Sequence, residues 1–409
     1  MSEWPMVRFE ELAAKEKSSF SKPYGSAYTK DDYVSAGIPL VRGVNLGSGR
    51  FYDDGFVFIT PEKADTLPGA NLAAGDLVIT HRGTIGQVSM IPRKPKRDRY
   101  VLSTSQVKAR LDGSRALPEF YFYWLISPAG QNEILQHVST VGVPGLVQPV
   151  ATVKSLKVPD PPLQEQRRIV AVLGALDDKI FLNERIATAA LTLADTHFIR
   201  AAEGIEYGNE TFGSVATVAG GGTPNTKVEE YWGGGIAWTT PSDVTALRSP
   251  YLFETGRSIT NSGLDNCASR LYPAQSIFMT SRATIGAFAL PQVPAAVNQG
   301  FIVVIPPDEY MRWWLLHEMR SRVDHMVSLS NGSTFLELSR KNFKAMQIRL
   351  PERSEIEGFA QKVAPLHASA AQFSKENRTL ATLRDTLLPQ LMSGRLRVKD
   401  AEKIVEDQV

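Results

Sequence analysis

Cysteine is almost absent from this sequence, which has one such residue, Cys267, among 409. A single cysteine forms no disulfide within the chain, as is typical of proteins in a reducing compartment. Long apolar runs are also absent, since no stretch approaches ~18 consecutive apolar residues. The opening segment MSEWPMVRFEEL lacks the basic start and apolar core of a signal peptide. We therefore expect a cytoplasmic protein that does not span a membrane.

The sequence patterns of common catalytic sites are missing too. No Walker-type phosphate loop occurs, no dinucleotide fingerprint follows a strand, and the six histidines and the cysteine are scattered. We accordingly predict no metal site and no catalytic residue on this chain. The composition, 43% hydrophobic and 22% charged, argues against a disordered chain, and the net charge of +2 neither requires nor excludes a nucleic-acid partner.

The sequence contains nearly the same segment twice. Residues 74–86 read AGDLVITHRGTIG and residues 274–286 read AQSIFMTSRATIG. The identical pairs are Ala74 and Ala274, Thr80 and Thr280, Arg82 and Arg282, Thr84 and Thr284, Ile85 and Ile285, and Gly86 and Gly286. This similarity predicts two copies of one unit, and a duplicated unit usually faces a duplicated or two-part target.

The repeat extends in both directions from this segment. Phe9 aligns with Phe212, Ser105-Gln106 aligns with Asn298-Gln299, and the aromatic segment 120–124 aligns with 310–314. Short apolar runs bounded by Gly, Pro, Asp and Asn predict strands at 56–59, 77–80, 277–280 and 301–305. Helical stretches are expected near 119–136 and 309–327, so each unit is predicted to mix α and β structure.

Each unit is followed by a segment with the period of a packed helix. Apolar residues recur every three or four positions, which is the spacing of helices that pair along their length. An Asn in each helix lies among these packing positions, where a buried polar residue can set register. The alternative is two amphipathic helices that lie on their own domain cores. The packing positions are Ile169, Leu173, Leu176, Ile180 and Asn183 in the first helix, and Val363, Leu366, Phe373, Asn377 and Leu380 in the second.

Two loops could contact the DNA backbone. The first, residues 93–99, has five cations in seven positions, which are Arg93, Lys94, Lys96, Arg97 and Arg99. Such a run is most often a solvated loop, but on a DNA-binding unit it would neutralise phosphates. The second loop, Gly220 to Lys227, could hold a phosphate through backbone N–H groups, Thr223 and Lys227. Its alternative is an ordinary turn.

The repeated arginines have two interpretations. Arg82 and Arg282 could bind phosphate or guanine through the bidentate guanidinium. Their identity argues against base recognition, because units that read different sequences should differ where they touch bases, and it favours a structural or backbone-positioning role. Sequence-specific contacts are expected where the copies diverge, at Arg42, Asn45 and Arg50 in the first unit and at Thr239, Thr240, Ser242 and Asp243 in the second.

One segment suggests a methyltransferase. Asp160-Pro161-Pro162-Leu163 resembles the Asp-Pro-Pro-aromatic motif with which amino-group methyltransferases hold a flipped adenine. Here Leu163 replaces the aromatic ring, the segment opens a long helix, and no glycine-rich cofactor loop precedes it. A structural role is therefore favoured.

The chain also resembles a known family, the specificity subunits of type I restriction-modification enzymes. The resemblance lies in residues 221–227 (GGTPNTK), 230–234 (EYWGG) and 236–238 (IAW), which look like the opening of a target recognition domain. Residues 161–167 (PPLQEQR) and 380–394 (LATLRDTLLPQLMSG) look like the family's spacer helices. The first unit lacks the Gly-Thr-Pro opening, and residues 351–355 are a degraded form of the Pro-Pro-Leu-Gln-Glu-Gln segment.

The resemblance implies a duplicated α/β (α+β) fold, with two mixed α/β target recognition domains joined by two long antiparallel coiled-coil helices. The expected division is recognition domain 1 at 1–160, spacer helix 1 at 161–200, recognition domain 2 at 201–350, spacer helix 2 at 351–398 and a tail at 399–409. The implied partners are double-stranded DNA, two methyltransferase subunits and motor-nuclease subunits. S-adenosylmethionine would sit on the methyltransferase, which methylates adenine N6, and ATP and Mg on the motor-nuclease, so this chain would carry no cofactor.

The helix length suggests a two-part target. Residues 169–197 would span about 43 Å at ~1.5 Å per residue, which is roughly 12 base pairs of DNA. Two short half-sites separated by an unread gap follow as a hypothesis. The alternatives are a DNA-binding adaptor or decoy without a cognate methyltransferase, and a stand-alone adenine methyltransferase.

Overall fold

A computed structural model describes residues 4–47, 50–139, 144–330 and 336–407. The chain forms two compact units. Unit 1 comprises Met1–Asp178 and Leu380–Val409, and unit 2 comprises Lys179–Thr379. None of the helices in the described ranges has the length and apolarity that crossing a bilayer requires.

Unit 1 contains short strands and helices, followed by the part of a long helix that extends to Asp178. The strands are β1 (Met6–Arg8), β2 (Phe20–Ser21), β3 (Ile38–Val41), β4 (Val57–Ile59), β5 (Asn71–Leu72), β6 (Leu77–Thr80), β7 (Val88–Met90), β8 (Tyr100–Leu102), β9 (Gln106–Ala109), β10 (Val138–Ser139), β11 (Gly145–Leu146) and β12 (Lys157–Pro159). The helices are α1 (Pro61–Asp65), α2 (Pro118–Ile126), α3 (Pro128–Leu135), α4 (Pro149–Ser155) and the long α5 (Leu163–Ala201).

Unit 2 repeats this order. Its strands are β13 (Tyr207–Thr211), β14 (Thr217–Ala219), β15 (Trp232–Thr239), β16 (Tyr251–Leu252), β17 (Arg257–Ile259), β18 (Ile277–Thr280), β19 (Phe288–Pro291), β20 (Ala295–Val297), β21 (Phe301–Ile305) and β22 (Gln347–Arg349). The helices are α6 (Phe212–Val215), α7 (Pro241–Thr245), α8 (Asn261–Asp265), α9 (Glu309–Ser321), α10 (Val323–Ser328), α11 (Arg340–Ala345) and the long α12 (Arg353–Ser393). A last helix, α13 (Val398–Glu406), belongs to unit 1.

The sheets confirm the duplication. The order β2-β9-β6-β7 in unit 1 corresponds to β14-β21-β18-β19 in unit 2, where β16 adds a fifth strand. A second sheet combines one antiparallel and one parallel pairing around its central strand in both units, β4-β3-β8 in the first and β17-β15-β20 in the second. The predicted duplicated fold of two mixed α/β units is therefore correct.

One detail of the sequence alignment of the two copies is wrong. Thr80 pairs with Gln106 between β6 and β9, whereas the equivalent Thr280 pairs with Phe301 between β18 and β21. Gln106 thus corresponds to Phe301 and not to Gln299. The register follows the backbone pairing of the sheet, which a matching glutamine side chain does not determine.

The two helical stretches predicted in the middle of the units are each broken. The stretch 119–136 consists of α2 and α3, because Ser127 is extended and caps α3 through its side chain, which accepts from the N–H of Gly130, and Pro128 follows it. Proline disfavours a helical conformation at the residue before it, which explains this break. The stretch 309–327 is likewise divided into α9 and α10 at Arg322.

The long helices are antiparallel and pair within unit 2. Asn183 donates through Nδ2 to Oδ1 of Asn377 at 2.9 Å, and Asn377 donates to the carbonyl oxygen of Ile180 at 3.2 Å. Further along, the ring of Phe198 in α5 lies 5.8 Å from that of Phe359 in α12. The predicted coiled-coil helices are therefore present, and both predicted asparagines lie where the helices meet.

The same helices also cover the core of unit 2, so the alternative of helices lying on a domain core describes part of the packing. Trp314 of α9 is fully buried, with its ring 5.1 Å from Phe198 and 5.4 Å from Phe359. The other predicted packing positions range from buried to half-buried. Ile169, Leu173, Leu176, Val363 and Leu380 are buried, and Ile180, Leu366 and Phe373 are half-buried. The boundary between the compact units falls inside both helices, between Asp178 and Lys179 and between Thr379 and Leu380.

A network of hydrogen-bonded polar side chains lies in the core of unit 2, where His317, His367 and Tyr251 are buried and Asp195 is partly exposed. Asp195 Oδ1 lies 2.8 Å from His317 Nδ1, His317 Nε2 lies 3.0 Å from His367 Nε2, and His367 Nδ1 lies 2.9 Å from the Tyr251 hydroxyl. Burial lowers the pKa of His317, and burial together with the positive charges of Arg320 and Arg312 lowers the pKa of His367 to about 3. Both imidazoles are therefore neutral at pH 7.

Because both imidazoles are neutral, the donor and the acceptor of each hydrogen bond in this network can be assigned. Burial alone would raise the pKa of Asp195, but hydrogen bonds from His317 and Arg320 lower it to about 2, so Asp195 only accepts. His317 then donates through Nδ1 and accepts at Nε2, which leaves His367 Nε2 as the donor between the rings. Tyr251 completes the network by donating its hydroxyl proton to His367 Nδ1.

Candidate nucleic-acid interface

The repeated Thr-x-Arg-x-Thr-Ile-Gly segment forms the turn between two antiparallel strands in each unit. It joins β6 to β7 and β18 to β19. The N–H of Gly86 donates to the carbonyl oxygen of Thr80 at 3.1 Å, and that of Gly286 donates to Thr280 at 3.0 Å. Both glycines have left-handed backbones, with φ of 82° and 86°. The shared glycine is thus explained by a turn that favours it.

The two repeated arginines have different partners across this turn. Arg82 forms an isolated backbone bridge with Gly145, and Arg282 forms the corresponding bridge with Glu337. The Nε of Arg282 lies 2.9 Å from Oε1 of Glu337, and both side chains are about half exposed. Arg82 is exposed, and within the described ranges its side chain has no recorded ion pair.

Arg82 and Arg42 line the same cleft of unit 1. The cleft has a volume of about 350 Å³, and Tyr28 and Tyr33 are among its other lining residues. Arg42 places one guanidinium nitrogen 3.4 Å from the carbonyl oxygen of Gly55, while its Nε is buried without a hydrogen-bond partner in the described structure. The cleft therefore brings together two of the predicted DNA-binding arginines.

Asn45, another predicted contact, is buried beneath Arg42. Its Oδ1 accepts from the backbone N–H of Arg42 at 2.9 Å, and its Nδ2 donates to the carbonyl oxygen of Asp54 at 2.8 Å. With only 1% of its surface exposed, Asn45 positions the turn that carries Arg42. The nearby Arg50 is half-buried, and its carbonyl oxygen accepts from the N–H of Gly47.

The basic loop, residues 93–99, is exposed over most of its length and partly neutralised. Arg93 forms an ion pair with Glu119, which raises the pKa of Arg93, and the guanidinium of Arg97 lies 5.3 Å from the ring centre of Phe58. Lys94 and Lys96 are exposed. Among the described residues, ion pairs are recorded for Arg93 with Glu119 and for Arg99 with Asp65 but not for Lys94, Lys96 or the exposed Arg97, so these three side chains are the cations that the loop offers to an anion.

The glycine-rich loop of unit 2, residues 220–227, is held against the unit by two tryptophans. Trp238 donates through Nε1 to the carbonyl oxygen of Gly222 at 3.1 Å, and Trp232 donates to that of Asn225 at 3.3 Å. A Cβ at position 221 would overlap the carbonyl oxygen of Val297, which explains a glycine there. The glycine end of the loop is thus packed closely against the unit.

The exposed part of this loop carries the two side chains predicted to hold a phosphate. Thr223 donates through Oγ1 to Gln299 at 2.6 Å, and the backbone N–H of Lys227 donates to the side chain of Asn225 at 3.0 Å. Both Thr223 and Lys227 are exposed. They remain candidates for contact with a phosphate.

The four predicted specificity residues of unit 2 form the start of α7. Thr240 and Asp243 make a capping box, in which Asp243 accepts from the N–H of Thr240 at 2.7 Å. Thr239 is fully buried, whereas Ser242 is exposed. Of this set, Ser242 has the side chain that is open to a ligand, while the capping box stabilises the helix. DNA contact by the set stays a prediction.

A basic helix, α11, was not predicted as part of the interface. Its exposed cations Arg340, Lys341 and Lys344 line an open cleft of about 460 Å³. The guanidinium of Arg340 lies next to the glycine-rich loop, since a Cβ added at Gly220 would be 3.1 Å from Arg340 Nη1. The sequence signal for this cleft is the presence of three cations within the six residues RKNFKA.

The Asp160-Pro161-Pro162-Leu163 segment leads into the first long helix. Asp160 accepts from Arg115 Nη2 at 2.8 Å, and α5 begins at Leu163. No group of three or more His, Cys, Asp or Glu side chains suited to a metal ion occurs in the described ranges.

Comparisons with known proteins agree with this architecture. The family model of the type I restriction modification DNA specificity domain matches residues 1–191 and again residues 205–364. The chain is 31% identical over 197 residues to the type I restriction enzyme MjaIX specificity subunit of Methanocaldococcus jannaschii, a match that covers 48% of this chain and 46% of that one. It is 23% identical over 383 residues to the type I restriction enzyme HindI specificity subunit of Haemophilus influenzae, covering 73% and 82% respectively.

A solved structure has a similar fold. The crystal structure of the type I restriction-modification system S subunit from M. genitalium matches with a TM-score of 0.59 over 95% of this chain and 96% of that one. At 14% identity, this likeness concerns the fold alone. Because the family model matches both units and most of the sequence, the chain belongs to the type I restriction modification DNA specificity domain family.

Proposed function

We propose that this chain is the DNA-recognition subunit of a type I restriction-modification complex, in which each unit reads one half of a two-part target. The observation that carries the proposal is the duplication itself. Both units share sheet order and the repeated turn, yet their surface residues differ, as at the half-buried Arg42 in unit 1 and the exposed Ser242 in unit 2. Two similar scaffolds with different surfaces suit two different half-sites.

The charges on the two units support contact with a nucleic acid. Unit 1 presents the cleft of Arg42 and Arg82, and unit 2 presents the cations of α11 beside the glycine-rich loop. Arginine and lysine side chains that face solvent without an acidic neighbour supply the phosphate contacts on which DNA affinity depends.

In this proposal the chain binds DNA and organises partners but does no chemistry. Two methyltransferase subunits would bind S-adenosylmethionine and methylate adenine N6, and motor-nuclease subunits would use ATP and Mg for cleavage. This sequence has no Walker-type phosphate loop, and it has Leu163 where the methyltransferase motif has an aromatic residue. The complex would act in the cytoplasm, on the DNA of the cell and of invaders.

The test is a map of methylated adenine. The chain is co-expressed with the methyltransferase subunit of its own host in cells without adenine methylation, and the genome is sequenced for N6-methyladenine. We expect a motif of two short specified parts separated by an unspecified gap of fixed length. The chain alone and the methyltransferase alone serve as controls.

Other outcomes would contradict the proposal in distinct ways. A single contiguous motif would exclude two half-site readers. If no methyltransferase co-purifies with the chain but the chain still binds DNA, the chain is an adaptor or decoy. Incorporation of labelled methyl groups by the purified chain alone would identify a stand-alone methyltransferase.

A further inference from the structure

The repeated arginines occupy the same place in the two units. The carbonyl oxygen of His81, just before Arg82, accepts from the N–H of Leu146 at 3.0 Å. The carbonyl oxygen of Ser281, just before Arg282, accepts from the N–H of Leu338 at 2.9 Å. Both leucines are buried, so the strand segments opposite the two arginines are equivalent.

The residue opposite the arginine differs in charge. In unit 1 the position is occupied by Gly145, which has no side chain, and in unit 2 by Glu337, whose carboxylate lies 2.9 Å from Arg282. The Arg282–Glu337 pair has no net charge, so a phosphate that approached Arg282 would also meet the carboxylate. Arg82 retains its full positive charge.

The surroundings of Arg82 add to its attraction for an anion. It shares its cleft with Arg42, whose Nε is buried without a partner in the described structure. The described lining residues of the cleft include hydroxyl and amide groups, such as those of Thr84 and Gln87, and no carboxylate. Two guanidinium groups without a competing acid can form bidentate hydrogen bonds with phosphate oxygens.

We propose that the cleft of Arg42 and Arg82 holds a backbone phosphate of the DNA, and that the equivalent position of unit 2, the Arg282–Glu337 pair, holds none. The inference rests on the proposed DNA-binding function and deepens it. Unit 1 contacts the backbone through its repeated turn, whereas unit 2 depends on other cations. Identical residues thus take different roles in the two copies.

The experiment compares two matched variants of the full chain, Arg82→Gln and Arg282→Gln. The affinity of each for a fluorescently labelled duplex of mixed sequence is measured over a series of salt concentrations. We expect Arg82→Gln to reduce the slope of log affinity against log salt by about 0.9, the value for one phosphate contact, and Arg282→Gln to leave it unchanged. Equal losses in the two variants, or a loss in Arg282→Gln alone, would overturn the proposal.

Two further variants test the cause. Glu337→Gln removes the competing carboxylate, and we expect it to steepen the salt dependence, because Arg282 then faces the DNA unpaired. An unchanged slope would refute the role given to Glu337. Arg42→Gln is expected to weaken binding like Arg82→Gln, and an unaffected affinity would remove Arg42 from the site. Circular dichroism of each variant shows whether a loss comes from misfolding.

The same measurements distinguish a contact with a phosphate from a contact with a base. They also distinguish failure of the inference from failure of the proposed function. A phosphate contact predicts that Arg82→Gln weakens binding equally for duplexes of different sequence, whereas a loss confined to one sequence would identify recognition of a guanine and overturn the phosphate assignment. If the unaltered chain fails to bind any duplex at low salt, the proposed function itself is wrong. If it binds and Arg82→Gln binds equally well, only the inference fails.

Discussion

Acidification should destabilise unit 2 through its buried histidines. His367 is 2% exposed, and its ring stacks on Trp313 at 4.3 Å while both nitrogens make hydrogen bonds. The charged groups that act on His367 are Arg320, Arg312 and Asp195, and the two arginines add to the cost of protonating the imidazole. Folding therefore requires His367 to be neutral.

The size of the effect follows from the pKa values. The pKa of an ordinary histidine is 6.5, and that of His367 is lowered to about 3. Because the folded-state value is the lower one, the stability is fully present above pH 6.5 and is lost as the pH falls toward 3. At about pH 5, roughly 1.5 units below the pKa of histidine in the unfolded chain, protonation of this histidine stabilises the unfolded chain by about 2 kcal/mol. His317, whose pKa is also lowered by burial, adds a loss of the same sign.

The assay is urea unfolding of the full chain at about pH 7.5 and about pH 5, followed by tryptophan fluorescence. We compare the unaltered chain with His367→Gln, in which the amide can still donate toward His317 and accept from Tyr251 but does not titrate. The loss of stability on acidification should be smaller in this variant by about 2 kcal/mol. The matched control is His197→Gln, which removes an imidazole that is not part of the buried hydrogen-bond network. An equal loss in the unaltered chain and His367→Gln would refute the reasoning.

Two more predictions concern packing and are checked by urea unfolding. Asn377→Leu leaves the buried amide of Asn183 without its acceptor and should cost about 1–3 kcal/mol, while the double Leu variant should recover most of that loss. Gly286→Ala would place a Cβ 2.5 Å from Val323 at a φ of 86° and should cost at least ~1 kcal/mol. Gly235→Ala, where a Cβ meets nothing within 4 Å, is its control, and equal costs at the two glycines would contradict the steric argument.

The elements that the sequence predicted well are those set by local patterns. Strands β6 and β18 lie at 77–80 and 277–280 as expected, because an apolar run bounded by turn residues fixes a short buried strand. Asn183 and Asn377 were predicted to lie between the helices because helical spacing alone places them on the packing face. The break between α2 and α3 could also have been predicted, since Pro128 marks it, but one helical stretch was expected over 119–136.

The residues that diverge between the copies were a less reliable guide to the DNA interface. Thr239 and Asn45 differ from their counterparts, yet both are buried, and Asn45 uses its side chain to shape a turn. Two copies of a fold diverge in their cores as well as on their surfaces, because compensating changes maintain packing. Divergence therefore identifies a contact only when exposure is known, and the sequence does not give exposure for residues in irregular loops.

Identity between the copies was equally ambiguous, for a reason that lies outside the repeated segment. The turn fixes the backbone at Arg82 and Arg282 alike, since the same hydrogen bonds and left-handed glycines recur in both. The charge at each arginine depends instead on the strand opposite, where Gly145 and Glu337 come from segments far along the chain. A repeat in sequence thus conserves the geometry of a site, but its electrostatics are set by residues that only the fold brings near, and two identical arginines can differ in whether they are available to DNA.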